Sequence, residues 1–344
     1  MSRSDRLSLS IRGLVCLVVA LGFVLLVAPP CLQAQGTGKK LLAPQVLIDP
    51  LDGHRFEVGV LPSTNSMGGF DSDGCSYASG AQPRRYAVAT SPTTLYSARL
   101  SAWGEGITEK NRRQLLAMLL EVGQEVDTAA RLAPYQRYEL AARVAEVLGA
   151  GRLPVADLYL HGAWTLRDSI VGFLPGVQGA ADAWEKLAEL LVLAEPLTEA
   201  RPRTIALFDM ARLSHRGGFV HERSHFLASL DDFEDAGLGA RTKRTEFLRL
   251  VQEENRLLAQ AREAYLEGAS RPEVGAEERV YYRYLAADLA RRLGDIETAE
   301  RELAPLALDK AASVEVKGLI ADVRAVLRVQ AKDPRAAVTG AKQE

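Results

Sequence analysis

The spacing of apolar residues changes once along the chain, and the change divides it. Between Gln45 and Trp103 apolar positions come in short runs, the clearest being Arg55 to Leu61, where Phe56, Val58 and Val60 alternate with Glu57 and Gly59. Period two predicts strands over Gln45 to Ile48 and Arg55 to Leu61, paired as a hairpin about the turn Leu51-Asp52-Gly53. A loop thick with Gly, Ser and Asp follows over Ser63 to Gly80, then a further strand over Arg85 to Thr90. From Thr108 the apolar residues recur every three or four positions. Thr108 caps a first helix carrying Leu115, Leu116, Met118 and Leu119, and Pro134 opens a second with Leu140, Val144 and Leu148 at helical spacing. Eight more helices are expected at residues 155–173, 179–195, 202–216, 221–235, 240–268, 275–293, 296–309 and 313–329. So many amphipathic helices joined by short connections predict a mainly α fold of stacked antiparallel hairpins or an irregular bundle, with a small β module in front.

The pattern also fixes the ends. Arg3, Arg6 and Arg12 precede an apolar run from Leu14 to Ala28, and a small-residue exit follows at Leu32-Gln33-Ala34, the layout of a secretory signal peptide over residues 1–34. The run is short of the roughly 20 residues a spanning helix needs, so no membrane span is expected after cleavage, an uncleaved outward-facing anchor being the alternative. Residues 35–44 then read as a linker, 45–107 as the β module, 108–332 as the helical domain, and 333–344 as a disordered tail. The expected location is periplasmic or secreted. The helical domain is expected to stand without the module.

Charge narrows the partners. The chain holds 42 basic and 44 acidic side chains, and loss of the leader, with three arginines and one aspartate, moves the net charge from −2 to about −4. Nothing in that balance draws the protein to nucleic acid, which requires a basic face. Cys16 and Cys31 leave with the leader, so Cys75 remains as a lone thiol and no intrachain disulfide forms.

Two turns in the β module match one another. Asp49-Pro50-Leu51-Asp52 and Ser91-Pro92-Thr93-Thr94 share the skeleton that, with Cys at its outer positions, forms the two knuckles of a zinc ribbon. Asp49, Asp52, Ser91 and Thr94 occupy those positions, so the module reads as a degenerate, metal-free ribbon that must be held by packing onto the first helices through Phe56, Val58, Tyr86, Val88 and Leu95. Near the other end, Tyr284 to Asp295 followed by Ala299, Leu303 and Ala307 places small residues where two helices cross and Leu293-Gly294-Asp295 at the turn. That is the make-up of one tetratricopeptide unit, with Pro305 set to shorten its second helix. A weaker echo is Ala211 to Gly217.

With these pieces in order, joined by Ser63-Thr64-Asn65, Gly68-Gly69, Asp71-Ser72-Asp73, Gln82-Pro83, Leu158 to Arg167, His215-Arg216-Gly217-Gly218 and Arg291 to Asp295, the chain resembles the bacterial domain-of-unknown-function family 2225. The resemblance implies a ribbon-like module joined to tetratricopeptide-like helices, and no reaction. In members with intact knuckles it also implies zinc, which the replaced cysteines remove here.

The candidate chemistry is sparse. His221-Glu222-Arg223-Ser224-His225 has the H-E-x-x-H spacing of zinc hydrolases, yet Arg223 stands where an uncharged inward residue is usual, and no third ligand follows. Two exposed helix histidines are the plainer reading. Asp71-Ser72-Asp73-Gly74-Cys75 lacks the distant acid of a calcium loop and reads as a turn in which Asp side chains bond backbone amides. Trp164, Arg167 and Asp168 share one helix, with Trp164 and Arg167 on one face: binding hot-spot residues, or a core tryptophan at a helix crossing. Arg291-Arg292 and Arg241 to Arg244 read as solvated faces able to meet a partner's carboxylates. The expected function is a non-enzymatic helical-repeat scaffold binding a protein or peptide, with no cofactor; the alternative is a zinc hydrolase built on His221 and His225.

Overall fold

The computed structural model describes residues 42–125, 132–233 and 239–330; the leader, the first residues of the linker and the tail lie outside these. The described residues are mainly helical. Two strands, β1 (Ala43–Ile48) and β2 (Arg55–Val60), form the expected antiparallel hairpin, with Leu47 opposite Phe56 and Ile48 opposite Arg55. A second small ribbon pairs β3 (Val88–Thr90) with β4 (Ser97–Arg99) around the second knuckle-like turn. Ten helices follow: α1 (Glu109–Glu125), α2 (Pro134–Val147), α3 (Arg152–Val171), α4 (Ala180–Ala194), α5 (Ala200–Gly217), α6 (Val220–Ser229), α7 (Ala240–Ala269), α8 (Ala276–Arg292), α9 (Ile296–Leu306) and α10 (Val314–Gln330).

Local signals set their ends. Thr108 caps α1, its Oγ1 accepting from the Asn111 amide at 3.4 Å while Asn111 Oδ1 accepts from the Thr108 amide at 2.6 Å. Asp295 caps α9 by accepting from the Thr298 amide at 3.1 Å. Helix α9 stops at Leu306, one residue past Pro305 and short of the expected end, because proline supplies no amide to the preceding turn.

Helix α3 is buried on nearly every side and forms the axis of the fold. It packs along most of its length on α7, about 45 Å of helix, and on α2. The approach is close at Gly162, where a Cβ would come within 3.2 Å of both Leu257 and Tyr138. Around this axis Tyr138, Val155, Leu166, Leu257, Tyr265, Leu285 and Leu303 join one core that runs out to Ile320 and Val323 of α10.

The boundary expected at residue 107 marks a change of composition and not a break between cores. Leu51, Leu95 and Tyr96 of the knuckle-like turns are buried with Leu115 and Leu119 of α1 and Leu140 and Val144 of α2, and Val88 of β3 belongs to the central core. Of the residues expected to anchor the module, Val88 and Leu95 are buried; Phe56, Val58 and Tyr86 are half-buried, with Phe56 edge-on to Trp103 at 5.6 Å. All described residues fall within one compact unit. This seam argues against an independent helical domain: α1 and α2 use module side chains to complete their apolar faces. Residues 108–332 expressed alone should lack a cooperative thermal transition, whereas residues 41–332 should show one; differential scanning calorimetry of the two fragments distinguishes them.

Candidate functional site

The loop after β2 is short of regular structure but not of order. Gly68 and Tyr77 face one another through two backbone hydrogen bonds of 2.9 Å, Gly68 N to Tyr77 O and Tyr77 N to Gly69 O. Inside them the Asp71 amide donates to Cys75 O and the Gly74 amide to Asp71 O, so the segment closes as a tight hairpin. Its tip, Asp71-Ser72-Asp73, is pushed between the helices.

There it meets a concentration of arginines. Asp71 Oδ1 accepts from Arg216 Nε at 2.6 Å, and its Oδ2 accepts from Arg167 Nη1 at 3.0 Å and from the Tyr77 hydroxyl at 2.8 Å. Asp73 lies 2.9 Å from the same Arg167 Nη1 and accepts from the Trp164 indole at 3.0 Å. Arg292 lies within 3.5 Å of Asp71, Asp73 and Asp288. Between the two aspartates, the Ser72 hydroxyl donates to Asp288 Oδ2 at 2.7 Å, Arg291 Nη2 donates back to it at 3.2 Å, and the Tyr284 hydroxyl bonds the Ser72 carbonyl. Arg167 Nε continues to Glu254 at 2.8 Å. The carboxylates of Asp71, Asp73, Glu254 and Asp288 thus face the guanidiniums of Arg167, Arg216, Arg291 and Arg292, all buried, from a loop and from α3, α5, α7 and α8. The Arg216 guanidinium also sits 3.4 Å above the Tyr77 ring, a cation–π contact in a dry site.

The tail of the network fixes a tautomer. Arg223 Nη1 lies 2.9 Å from His215 Nδ1, and because an arginine can only donate, that nitrogen must accept. His215 is then a neutral imidazole whose Nε2 proton goes to Glu254 Oε2 at 2.7 Å. Burial, helped by Arg223 and Arg167, lowers the His215 pKa against the opposing pull of Glu254. His161 is a second case: its Nδ1 faces Arg99 Nη2 at 2.7 Å, and burial followed by Arg99 pushes it down to about 3.

Ionisation in the cluster is one-sided. Burial by itself raises the carboxyl pKa values of Glu254 and Asp73, but the hydrogen bond from the neutral His215 and the charge and hydrogen bond of Arg167 hold Glu254 below its ordinary range, and Arg167 with Arg292 holds Asp73 well below its own. The enclosed Cys75 thiol is pushed up by burial and stays protonated. Among these groups, then, no acid, base or thiolate is poised near neutral pH. The cluster is a clamp.

These facts correct several expectations. Arg167, Asp168, Arg291 and Arg292 are buried, with internal partners, and present no face to a ligand; Asp168 is held through Arg84, Nε to Oδ2 at 2.7 Å and Nη2 to Oδ1 at 2.9 Å. Trp164 is half-buried against His161, at 4.4 Å between ring centres, and bonded to Asp73, so it belongs to the clamp and not to an exposed hot spot. Asp73 does accept from a backbone amide, that of Cys75 at 3.3 Å, but its main partners are guanidiniums. The Asp and Arg partners of the clamp were invisible as a set because they lie up to 221 residues apart, as Asp71 and Arg292 do; the one local trace is Asp288 with Arg291, three residues apart within an otherwise apolar stretch.

The knuckle-like turns do meet. Thr94 Oγ1 donates to Asp49 Oδ2 at 2.6 Å, Asp49 Oδ1 accepts from the Leu51 amide at 2.6 Å, and Ser91 Oγ accepts from the amides of Thr93 and Thr94. Asp52, exposed, accepts from the His54 amide. The oxygens of the four positions are therefore committed to the turns themselves or to each other. His221 and His225 are exposed on α6 while Arg223 between them points inward to His215. Among the described residues, no group of three or more His, Cys, Asp and Glu side chains is arranged to hold a metal ion, at α6 or at the turns.

Surface relief lies elsewhere, along the α7–α8 hairpin. One open recess of about 600 Å³ is lined by Leu266, Ala269, Ser270, Pro272, Arg279 and Arg283. A second, of about 580 Å³, is lined by Ala259, Arg262, Glu263, Leu266, Glu267 and Leu293. Leu266 lines both, and the two recesses together are called the α7–α8 groove below. No motif in the sequence pointed to it, because its walls are single residues from two helices and their connection.

Comparison with known proteins adds no name: no protein-family model, curated protein or solved structure gives a significant match to the chain. No described helix is long and apolar enough to cross a membrane.

The clamp gives a sign for pH dependence. Glu254 is held below its ordinary 4.5, so the stability it contributes is complete above pH 4.5 and is lost as the pH falls below that value toward its folded pKa. Urea titrations should show stability falling through this window, with a shallower fall in Glu254→Gln, which starts lower at pH 7. Asp73→Ala leaves Arg167 and Arg292 short of a carboxylate and should cost about 3–5 kcal/mol at pH 7.

Proposed function

We propose that the chain is an exported, non-enzymatic helical scaffold that binds a protein or peptide in the α7–α8 groove. The observation that carries this reading is a division of labour among charged groups. The buried carboxylates and guanidiniums of the clamp face one another, although some N–H groups of Arg167, Arg216 and Arg292 have no acceptor, while the two recesses along α7 and α8 have apolar lining in Leu266, Ala269 and Leu293, edged by guanidiniums and, in the second, by Glu263 and Glu267. Such a surface suits recognition by contact, and a helical stack supplies the rigid backing that holds it.

The finer architecture supports the same reading. In α8 and α9 the buried Ala286, Ala287, Ala290 and Ala299 lie at a helix crossing closed by the Leu293-Gly294-Asp295 turn, as in a tetratricopeptide unit. In the module, two Pro-containing turns face each other as zinc knuckles do, with the Thr94–Asp49 hydrogen bond standing where such a site would hold an ion. We read the chain as a divergent relative of the domain family it resembles, with its metal staple replaced by that bond and by the seam onto α1 and α2. The leader layout supports a location outside the cytoplasm.

Three measurements test this. The mature N-terminus, sequenced from envelope material, should lie near Gln35. Elemental analysis of the purified protein should give well under one zinc per chain, and a chelator should leave the melting temperature unchanged. A tagged wild-type protein should retain a defined partner from its own envelope fraction that Leu266→Asp, shown to be folded by circular dichroism at the assay temperature, fails to retain; equal retention by both would remove the groove from the reading.

A further inference from the structure

The groove is not electrically uniform, and its asymmetry names a partner class. Arg279 and Arg283 sit four residues apart on α8, hence on one face, and both line the recess at the connection end. Neither is paired with a carboxylate. Arg279 Nη2 donates to the Val274 carbonyl at 3.0 Å and, more weakly, to the Arg271 carbonyl at 3.5 Å, which ties the guanidinium to the loop wall. Its Nε is buried without an acceptor. Arg283 is exposed and has no hydrogen-bond or ion-pair partner among the described residues.

Their neighbours contrast with them. Arg262, in the adjoining recess, is engaged with Glu302 at 2.9 Å and with the Ala286 carbonyl, and Arg152, Arg249 and Arg256 hold glutamates. At the other end, Glu263 and Glu267 line the groove and disfavour an evenly anionic ligand. Glu267 is partly neutralised by Arg152 and Arg271. The groove therefore offers one open fork-shaped donor, Arg283, with the remaining Nη1 of the loop-tied Arg279 beside it, an apolar step at Leu266, and an acidic border beyond it.

Resting on the scaffold reading, we propose that the groove takes a short acidic–apolar peptide segment of a protein partner, with side-chain carboxylates on Arg279 and Arg283 and an apolar side chain on Leu266. Guanidinium favours this pairing because its planar fork matches a carboxylate with two parallel hydrogen bonds. The loop carbonyls hold Arg279 in place before binding, which reduces the entropy lost on association. A polyanion such as a nucleic acid is opposed by the acidic border and by the net negative charge of the chain.

The test uses the mature chain and a fluorescein-labelled peptide of alternating Leu and Glu, read by anisotropy, with a Leu and Lys peptide of equal length as control. The expected result is saturable binding of the Glu peptide, little binding of the Lys peptide, and at least tenfold weaker binding by Arg283→Glu, whose exposed side chain leaves the melting temperature unchanged. Leu266→Asp should weaken it as well. Loss in Leu266→Asp with full binding by Arg283→Glu would keep the groove as a docking site and overturn the acidic partner. Equal binding of both peptides, or no saturable binding of the Glu peptide, would overturn it too. The envelope partner separates the two readings: if wild type and Arg283→Glu retain it equally, the scaffold stands and the acidic class falls; if wild type retains none, the scaffold itself falls.

Discussion

The fold depends on the insertion of two carboxylates, Asp71 and Asp73, into a space that four helices cannot close by themselves. Arg167, Arg216 and Arg292 converge there from α3, α5 and α8, and without the loop their like charges would face one another in a dry interior, an arrangement far costlier than any apolar contact nearby could offset. The loop brings two carboxylates of opposite sign, and with Glu254 and Asp288 these equal in number the guanidiniums of Arg167, Arg216, Arg291 and Arg292. It is itself stiffened by a tight hairpin, so its tip arrives with little freedom left to lose. Ion pairs of this kind are poor sources of net stability, because desolvation consumes most of the Coulombic gain. What they supply is intolerance of misalignment: a register shift of any one helix would leave a charge uncompensated.

That intolerance explains how a module too small to hold itself can be part of a firm structure. It is joined to the helices twice. The apolar seam of Leu51, Leu95 and Tyr96 with α1 and α2 is non-directional and supplies area. The clamp is directional and supplies registration, carried by the Asp–Arg contacts and by neutral imidazoles that serve as acceptors for Arg223 and Arg99. The close turn after α5 shows the same economy of space. Gly218 takes a positive φ of 74° at the helix end, and a Cβ there would lie 2.6 Å from Arg291 Nη1, so the glycine admits both the left-handed turn and the buried guanidinium.

Elements set by local chemistry were legible in the sequence. Each expected helix exists, since period, caps and Gly or Pro stops act within a few residues, and the β1–β2 hairpin follows from alternation about a turn. Leu116, expected in the core, is exposed, because α1 packs along a narrower stripe through Leu115 and Leu119. The sharing of cores across residue 107 was not legible, because composition reports the local element and not what it packs against. The role of the charged residues was misread for a related reason. A pair such as Arg291-Arg292 on a helix is a solvated face unless carboxylates arrive from elsewhere, and here they arrive from a loop more than two hundred residues earlier. The groove left no trace, since Arg279, Arg283 and Leu266 are unremarkable where they stand.

Helix α8 brings the two halves of the argument together. At its C-terminal end Arg291 and Arg292 are buried, and the structure has matched each with carboxylates of its own, because an unmatched guanidinium there could not persist. At its N-terminal end Arg279 and Arg283 stand at the surface, where water can carry the charge and no internal acid is required. The same side chain therefore serves as a fixed internal tie in one environment and as an open donor in the other, and what separates the two is access to solvent. Binding at the open end need not disturb the clamp, because α8 is one continuous helix braced along α7 and α9, and its charged cluster is closed without any ligand. On the proposed scaffold reading, recognition can then vary by exchange of a few surface residues on α8 and its connection to α7, while the interior arginines hold the frame on which they are displayed.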